Sequence, residues 1–315
     1  MVGTETVRER GLQGEADFWR IRQLLLQTYP RVPAGFNWEI RNWEGMYLYG
    51  EQPGWAPAWE GASRVWETVD GRLAAALHPS RLGFAVLELD PAYRQQLEPE
   101  MVARAEETIA IAVGDETGAR RLRLYVFDYD EQRQHLLETR RYHRLAEGGM
   151  TRRLTFGRDL LPERCPLPAG YTLRTTRPGD PGDAGRIATL LNAAFNRDFH
   201  NAAEYLTFSR LAPSFRHDLD LIALAPDGTF AAYVGIPYVA AIGHGVFEPV
   251  CTHPDHRQRG LARALMVEGL HRLRALGAAD VAVETGDMIP ANRLYDSLGF
   301  TERYRGHIWQ RVMGP

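Results

Sequence analysis

The stretch VCTHPDHRQRGLARALMVEGLHRLRALG, residues 250–277, holds the end of a strand, a turn and a helix in one run. Its first residues close an apolar segment, 245–252, of strand length. Leu261, Leu265, Leu273 and Leu276 then recur at helical spacing, and Gly277 supplies the stop. The strand is therefore expected to turn straight into a helix. At that turn stand Arg257, Gln258, Arg259, Gly260, Leu261 and Ala262. Glycine lies where backbone must approach a ligand, and Ala262 where the helix is expected to pack closely. Free amides at a helix N-terminus, together with its positive dipole end, suit a pyrophosphate. An ordinary strand-to-helix turn carries the same elements without a ligand.

Working outward, the chain repeats itself. Asp70-Gly71 and Asp227-Gly228 each sit between apolar runs, the pattern of a hairpin turn. Strand-like runs follow each turn (72–77 and 85–89; 230–239 and 245–252). Then come a proline, Pro91 or Pro254, and an arginine three residues on, Arg94 or Arg257. The segment 122–142 lies over 279–300 as strand, loop, short helix and aromatic. Each half reads as strand, one or two helices, three antiparallel strands, helix, strand, helix and final strand, which is a mixed α/β class with helices on a mainly antiparallel sheet. The Pro- and Gly-containing segment 156–169 reads as a linker between domains 1–155 and 170–315.

With 315 residues, 44% hydrophobic and 24% charged, the chain is long enough for two domains. It contains no lysine, so all 37 basic residues counted as Lys+Arg are arginine. Schiff-base enzymes, Walker-A NTPases and protein kinases all need a lysine, and they drop out. The formal charge of −3 argues against capture of nucleic acid or an anionic membrane. Cys165 and Cys251 are the two cysteines, and the polar start MVGTETVRER carries no signal peptide, so a cytoplasmic location is expected. The apolar stretch 230–247 is interrupted by Gly235, Pro237, Gly243 and Gly245 and reads as strands rather than a membrane span. His253 and His256 lack a second ligand group at zinc-like spacing, so no metal is expected.

The R-x-x-G-x-A pattern of 257–262, after the run VCTHP, resembles the acetyl-CoA loop of the GNAT superfamily of N-acyltransferases. Further on, ANRLYDSLGF (291–300) resembles that family's second signature, a tyrosine on a short helix before a Gly-Phe pair. The resemblance implies two tandem GNAT-like modules, an organisation similar to mycothiol synthase, with acetyl-CoA as co-substrate. It implies that the pantetheine arm pairs with the backbone of Val250, Cys251 and Thr252, and that 257–262 hold the pyrophosphate. Asn292 is then a candidate pantetheine contact, because Met288 stands where the family often has asparagine.

A general acid is expected at Tyr295. Ala291, Leu294, Tyr295 and Leu298 share one helical face, so the ring should point inward. Glu248 and Glu284 are the candidate bases that would deprotonate an amine before attack. Cys251 has no histidine partner at a defined spacing, and direct transfer needs no nucleophile. The segment 192–216, carrying Arg197, Asp198, His200, Glu204, Tyr205 and Arg210, is the candidate for acceptor specificity.

The same template fails in the first half. Arg94, Gln95, Gln96, Leu97, Glu98 and Pro99 align with the phosphate loop: Leu97 replaces the glycine, Glu98 and Glu100 add negative charge, and Pro99 lacks an amide. Leu137 stands at the tyrosine's position and Arg141-Tyr142 at the Gly-Phe pair. Trp38, Trp43, Trp55, Trp59 and Trp66 are expected mainly to pack this half. The resulting expectation is an acetyl-CoA-dependent N-acetyltransferase acting on a small-molecule amine, monomeric or homodimeric, with one working site. A CoA-thioester sensor or scaffold without turnover is the alternative. Transfer from aminoacyl-tRNA is disfavoured by the charge.

Overall fold

The computed structural model describes residues 6–50, 53–54, 56–114, 118–157, 161–286 and 288–314. The elements of the first half are β1 (Val7–Gly11), α1 (Gly14–Thr28), α2 (Ile40–Leu48), α3 (Pro57–Ala62), β2 (Arg64–Thr68), β3 (Leu73–Arg81), β4 (Phe84–Leu89), α4 (Arg94–Thr108), β5 (Ile111–Ala112), β6 (Arg120–Phe127), α5 (Glu131–Thr139) and β7 (His143–Thr155). Those of the second are β8 (Thr172–Thr175), α6 (Pro181–Phe195), α7 (Ala202–Leu211), β9 (Asp220–Leu224), β10 (Phe230–Gly235), β11 (Tyr238–Val239), β12 (His244–Val246), β13 (Val250–Thr252), α8 (Leu261–Ala275), β14 (Asp280–Thr285), α9 (Ile289–Ser297) and β15 (Glu302–Met313). The duplicated order is that of a mixed α/β fold built twice. Among the described residues no helix is long and apolar enough to cross a membrane.

Two compact units form, and they do not coincide with the linear halves. Met1–Met46, Gly54–Met150 and Tyr304–Pro315 make the first; Tyr47–Pro53 and Thr151–Arg303 make the second. The final strand therefore belongs with the first unit, although the repeat places it in the domain 170–315. The cause is pairing: β15 runs antiparallel to β6 in unbroken register from Gly306 opposite Phe127 to Met313 opposite Arg120. In return, residues 151–155 of β7 belong with the second unit, where Arg153 pairs with Asp280 and the Phe156 amide donates to the Ala279 carbonyl.

In the first unit the strand order is β1-β2-β3-β4-β6-β15. The Asp70-Gly71 turn joins β2 to β3, with Gly71 at φ +81°. Trp43 and Trp66 are fully buried, and their indole N–H groups donate to the Phe18 carbonyl and to Glu100. Trp38 and Trp59 are half-buried, and Trp55 lies outside the described residues.

In the second unit β13-β10-β9-β8 form one antiparallel run, and β7, β14, β12 and β11 lie in order in the other. Two apolar layers cover the first of these. One contains Leu261, Leu265, Met266, Leu270 and Leu273 of α8 with Ala232, Val234, Val281 and Val283. The other contains Ile187, Leu190 and Leu191 of α6 and Tyr205 of α7 with Ile222, Tyr233 and Cys251. Alternation along β10, with Ala232 and Val234 on one side and Tyr233 on the other, separates them. Two details depart from the helix pattern read above. Leu276 is exposed, just past the helix end. Close packing comes from Gly269, where a Cβ would lie 2.4 Å from Ile236 Cδ1, and not from the half-exposed Ala262.

Candidate active site

The apolar run 245–252 is not one continuous strand. β12 pairs in parallel with β14 as far as Val246 opposite Ala282, and the Phe247 amide donates to the Ala282 carbonyl. Beyond this point the chain leaves β14, and among the described residues β13 pairs only with β10. The His253 amide donates to the Ala231 carbonyl, and the Gly235 amide donates to Pro249. Residues 249, 251 and 253 thus turn their backbone groups to β10. By antiparallel alternation, Val250 and Thr252 turn theirs to the open edge.

Cys251, between them, bonds toward β10, and its thiol lies in the core, pushed up to about 12 by burial. The sequence had grouped Cys251 with the edge residues. Its parity on the strand removes it from the edge, and its protonated thiol leaves it no nucleophilic part.

The edge runs directly into the loop. Pro254–His256 form a short 3₁₀ turn, Gln258 takes φ +60°, and Gly260 takes φ +76° as N-cap of α8. Among the described residues no side chain caps this helix, so the amides of its first turn, which no helix satisfies internally, point outward. A Cβ on Gly260 would meet nothing within 4 Å, so the position faces open space. Arg257, Gln258 and Arg259 are exposed; Arg257 donates to the Ala194 carbonyl at 3.0 Å. His253 Nδ1 accepts from the Asp255 amide, and His256 Nδ1 lies 2.8 Å from the Tyr171 hydroxyl, so both imidazoles serve the loop's own geometry.

The candidate catalytic groups stand on the segments that border the separation of β13 from β14: Glu248 just before β13, Glu284 on β14 and Tyr295 on α9. Phe247 and Val250 pack on the α8 side, and Glu248 lies between them, half-buried, with no ion pair among the described residues. On β14, Val281 and Val283 are core, so Glu284 projects to the other face and is exposed. Tyr295 lies on the α8 side, with its ring against Phe300. Burial pushes its hydroxyl up to about 12, against a smaller opposing effect of Arg152.

Asn292 does other work. Its amide donates to the Gly286 and Met288 carbonyls at 3.0 Å each, and its oxygen accepts from Arg152. Both amide protons are therefore engaged inside the protein, which leaves Asn292 no donor for a pantetheine arm. Arg152, buried, also bonds Asp296 and the Phe300 carbonyl and clamps α9 in place; nothing in the local sequence marked it.

On the α6–α7 side, Asp220 is fully buried and accepts from the Tyr205, Tyr233 and Thr176 hydroxyls at 2.6, 2.6 and 2.7 Å. Burial outweighs these bonds and pushes its carboxyl up to about 6. A folded-state value above the ordinary 3.8 means that Asp220 favours folding most below about pH 4 and loses that contribution as pH rises through about 6. Relative to wild type, Asp220→Asn should therefore gain about 2 kcal/mol of unfolding free energy between pH 4 and pH 7. Urea melts at the two pH values measure this, and an unchanged difference would place the carboxylate in a wetter site. His200 and Glu204 face each other at 3.5 Å in the same segment, while Asp198 and Arg210 are exposed.

The equivalent place in the first unit is filled by its own chain. Asn37 accepts from the Leu89 amide and donates to the Leu89 carbonyl, at 2.8 and 3.1 Å, and so occupies the open edge of β4 as an added strand would. The Trp38 amide donates to buried Glu88, and Ala34 accepts from the Tyr129 hydroxyl. Phe36 is buried under the guanidinium groups of Arg94 and Arg133.

The loop itself is missing here. After Pro91–Tyr93 the helix starts at once at Arg94, so no residues correspond to 257–260 as a loop. Two expectations about this half change accordingly. Glu98 does not repel an anion, because Arg94 and Arg133 neutralise it in a buried network with Asp130. Pro99 lies inside α4, past the first-turn donors. Leu97 and Leu137 are core residues, and Arg141 takes φ +64° where Gly299 takes φ +91°.

Residues 186–300 match the acetyltransferase (GNAT) family. A mycothiol acetyltransferase of Actinosynnema mirum is 32% identical over 145 residues, 45% of this chain and 48% of that protein. The chain thus spans about half the length of the curated relative it matches. Two solved structures share the architecture over the whole chain. A tandem GNAT protein from the clavulanic acid biosynthesis pathway gives a TM-score of 0.65 at 17% identity, covering 98% of this chain and 99% of that one. A GCN5-related N-acetyltransferase from Sphaerobacter thermophilus gives 0.63 at 21% identity, covering 98% and 96%. Residues 186–300 of the second unit thus carry the pattern of the acetyltransferase (GNAT) family, and the fold of the whole chain is that of these tandem structures.

Proposed function

We propose that the second unit transfers an acetyl group from acetyl-CoA directly to a primary amine of a small molecule. The observation that carries this reading is the continuity of two unsatisfied backbone surfaces. The open edge of β13 at Val250 and Thr252 leads straight to the uncapped amides of α8 at Gly260. A pantetheine arm, with its amides, pairs with such an edge as an added strand does. Its pyrophosphate then meets the amides of Gly260, Leu261 and Ala262 and the side chains of Arg257, Gln258 and Arg259.

An amine of lysine-like pKa, about 10.4, is mostly protonated at neutral pH. Glu248 is the first candidate to take the proton, because its carboxylate has no ion pair to hold it and lies where β12 leaves β14; Glu284 is the second. The neutral nitrogen attacks the thioester carbon, the C–S bond breaks, and the sulfur's developing charge meets the Tyr295 hydroxyl. With the hydroxyl at about 12 and a thiol near 8.5, full proton transfer is uphill by roughly 5 kcal/mol. Tyr295 therefore acts chiefly as a hydrogen-bond donor to the leaving sulfur. As the amide forms, the nitrogen loses its second proton, which restores the thiol, while the proton first taken by the base passes to solvent, so one ammonium and one thioester give one amide, one thiol and one released proton.

Release of CoA thiol from acetyl-CoA, followed across a panel of amines, thiols and alcohols, tests this reading. Turnover confined to amines is the expected result. Tight acetyl-CoA binding without turnover on any acceptor would leave a thioester sensor or scaffold in its place.

A further inference from the structure

Several arginines of the second unit face a carboxylate: Arg174 pairs with Asp183, Arg152 with Asp296, Arg153 with Asp280 and Arg272 with Glu268. Those at the phosphate loop do not. Arg257, Arg259 and Arg197 have no carboxylate partner among the described residues. Arg197 is not part of the loop in sequence, but Arg257 fastens the two segments together by donating to the Ala194 carbonyl in the last turn of α6. Ala194 and Arg197 are three positions apart in the chain, so their Cα atoms are at most about 11 Å apart.

The local build around Arg197 is specific. Asn196 ends α6 in the left-handed conformation at φ 52°, and the Arg197 amide returns to the Asn192 carbonyl. This turn sets the guanidinium carbon 5.2 Å from the Phe195 ring centre and 5.4 Å from that of Phe199. Both rings are exposed, 41% and 59%. His200 Nε2 lies 3.5 Å from the same guanidinium. A cation held between two exposed aromatic faces, with no anion of its own, is pre-oriented for a phosphate and offers flat surface to a base beside it.

We propose that Arg197, held by Phe195 and Phe199, binds the ribose 3′-phosphate of CoA. The inference rests on the acetyl-CoA reading above: the pyrophosphate at Gly260 accounts for Arg257 and Arg259, and the 3′-phosphate is the remaining anionic group of that ligand. Arg197 then makes the site selective for CoA over nucleotides that end in a plain ribose.

Calorimetric titration of the full chain with acetyl-CoA and with its dephospho analogue, which lacks only the 3′-phosphate, tests this. Wild type should bind acetyl-CoA at least 10-fold more tightly than the analogue. Arg197→Gln should bring the two affinities within about 2-fold by weakening acetyl-CoA alone, and Arg197→Lys should recover part of the preference. Arg257→Gln should weaken both ligands and keep their ratio. Equal affinities in wild type, or an unchanged ratio in Arg197→Gln, would overturn the proposal while acetyl-CoA binding stands. Failure of wild type to bind either ligand would remove the acetyl-CoA reading and this inference with it.

Discussion

Gly260→Glu should abolish acetyl-CoA binding, with a loss of at least 100-fold in affinity, while the second unit remains folded. The fold survives because a Cβ at Gly260 meets nothing within 4 Å; the remaining cost is the left-handed backbone at φ +76°, about 1 to 2 kcal/mol for a residue with a side chain. Binding does not survive, because the same open space is where a pyrophosphate would approach the first-turn amides. A carboxylate there replaces the ligand's charge with its own and repels what remains. Calorimetry, together with a thermal melt to verify folding, reads both halves of the expectation. A folded variant with unchanged affinity would remove 257–262 from the cofactor site.

Tyr295→Phe should lower kcat by about 10²-fold with little change in acetyl-CoA affinity. The substitution keeps the ring, which packs with Phe300 and Leu298, and deletes only the hydroxyl. Because burial pushes that hydroxyl up to about 12, it carries its proton throughout the neutral and mildly alkaline range. The wild-type rate should therefore show no alkaline fall attributable to Tyr295 below about pH 10. A kcat equal to wild type would make Tyr295 a core residue and nothing more.

What was legible in the sequence is what short-range chemistry determines. The Asp-Gly hairpins, the glycine at the head of α8 and the inward face of Ala291, Leu294, Tyr295 and Leu298 all depend on neighbours a few residues away, and each lies where its local pattern placed it. What escaped depends on partners far along the chain. β15 joins β6 across nearly two hundred residues of sequence, Arg152 clamps Asn292 from the other end of the second unit's sequence, and Asn37 copies a strand edge with a side chain rather than a backbone. The closing of the first unit was anticipated, but its means was not. The residues that fill the place, Asn37 and Phe36, lie about sixty residues before Leu97, outside the segment that aligns with the phosphate loop. The break at Phe247–Pro249 is also invisible as apolar periodicity, yet it is what separates β13 from β14.

On the function proposed above, the second unit is where a CoA thioester binds, because Val250, Thr252 and Gly260 are open there while Asn37 and Phe36 fill the counterpart in the first. The most direct measurement is the stoichiometry of acetyl-CoA binding to the intact chain by calorimetric titration. One ligand per chain is predicted, with affinity reduced by Arg257→Ala and untouched by Arg94→Ala, whose guanidinium is engaged by Glu98 and Asp130. Two ligands per chain, or one whose affinity falls with Arg94→Ala and not with Arg257→Ala, would contradict it.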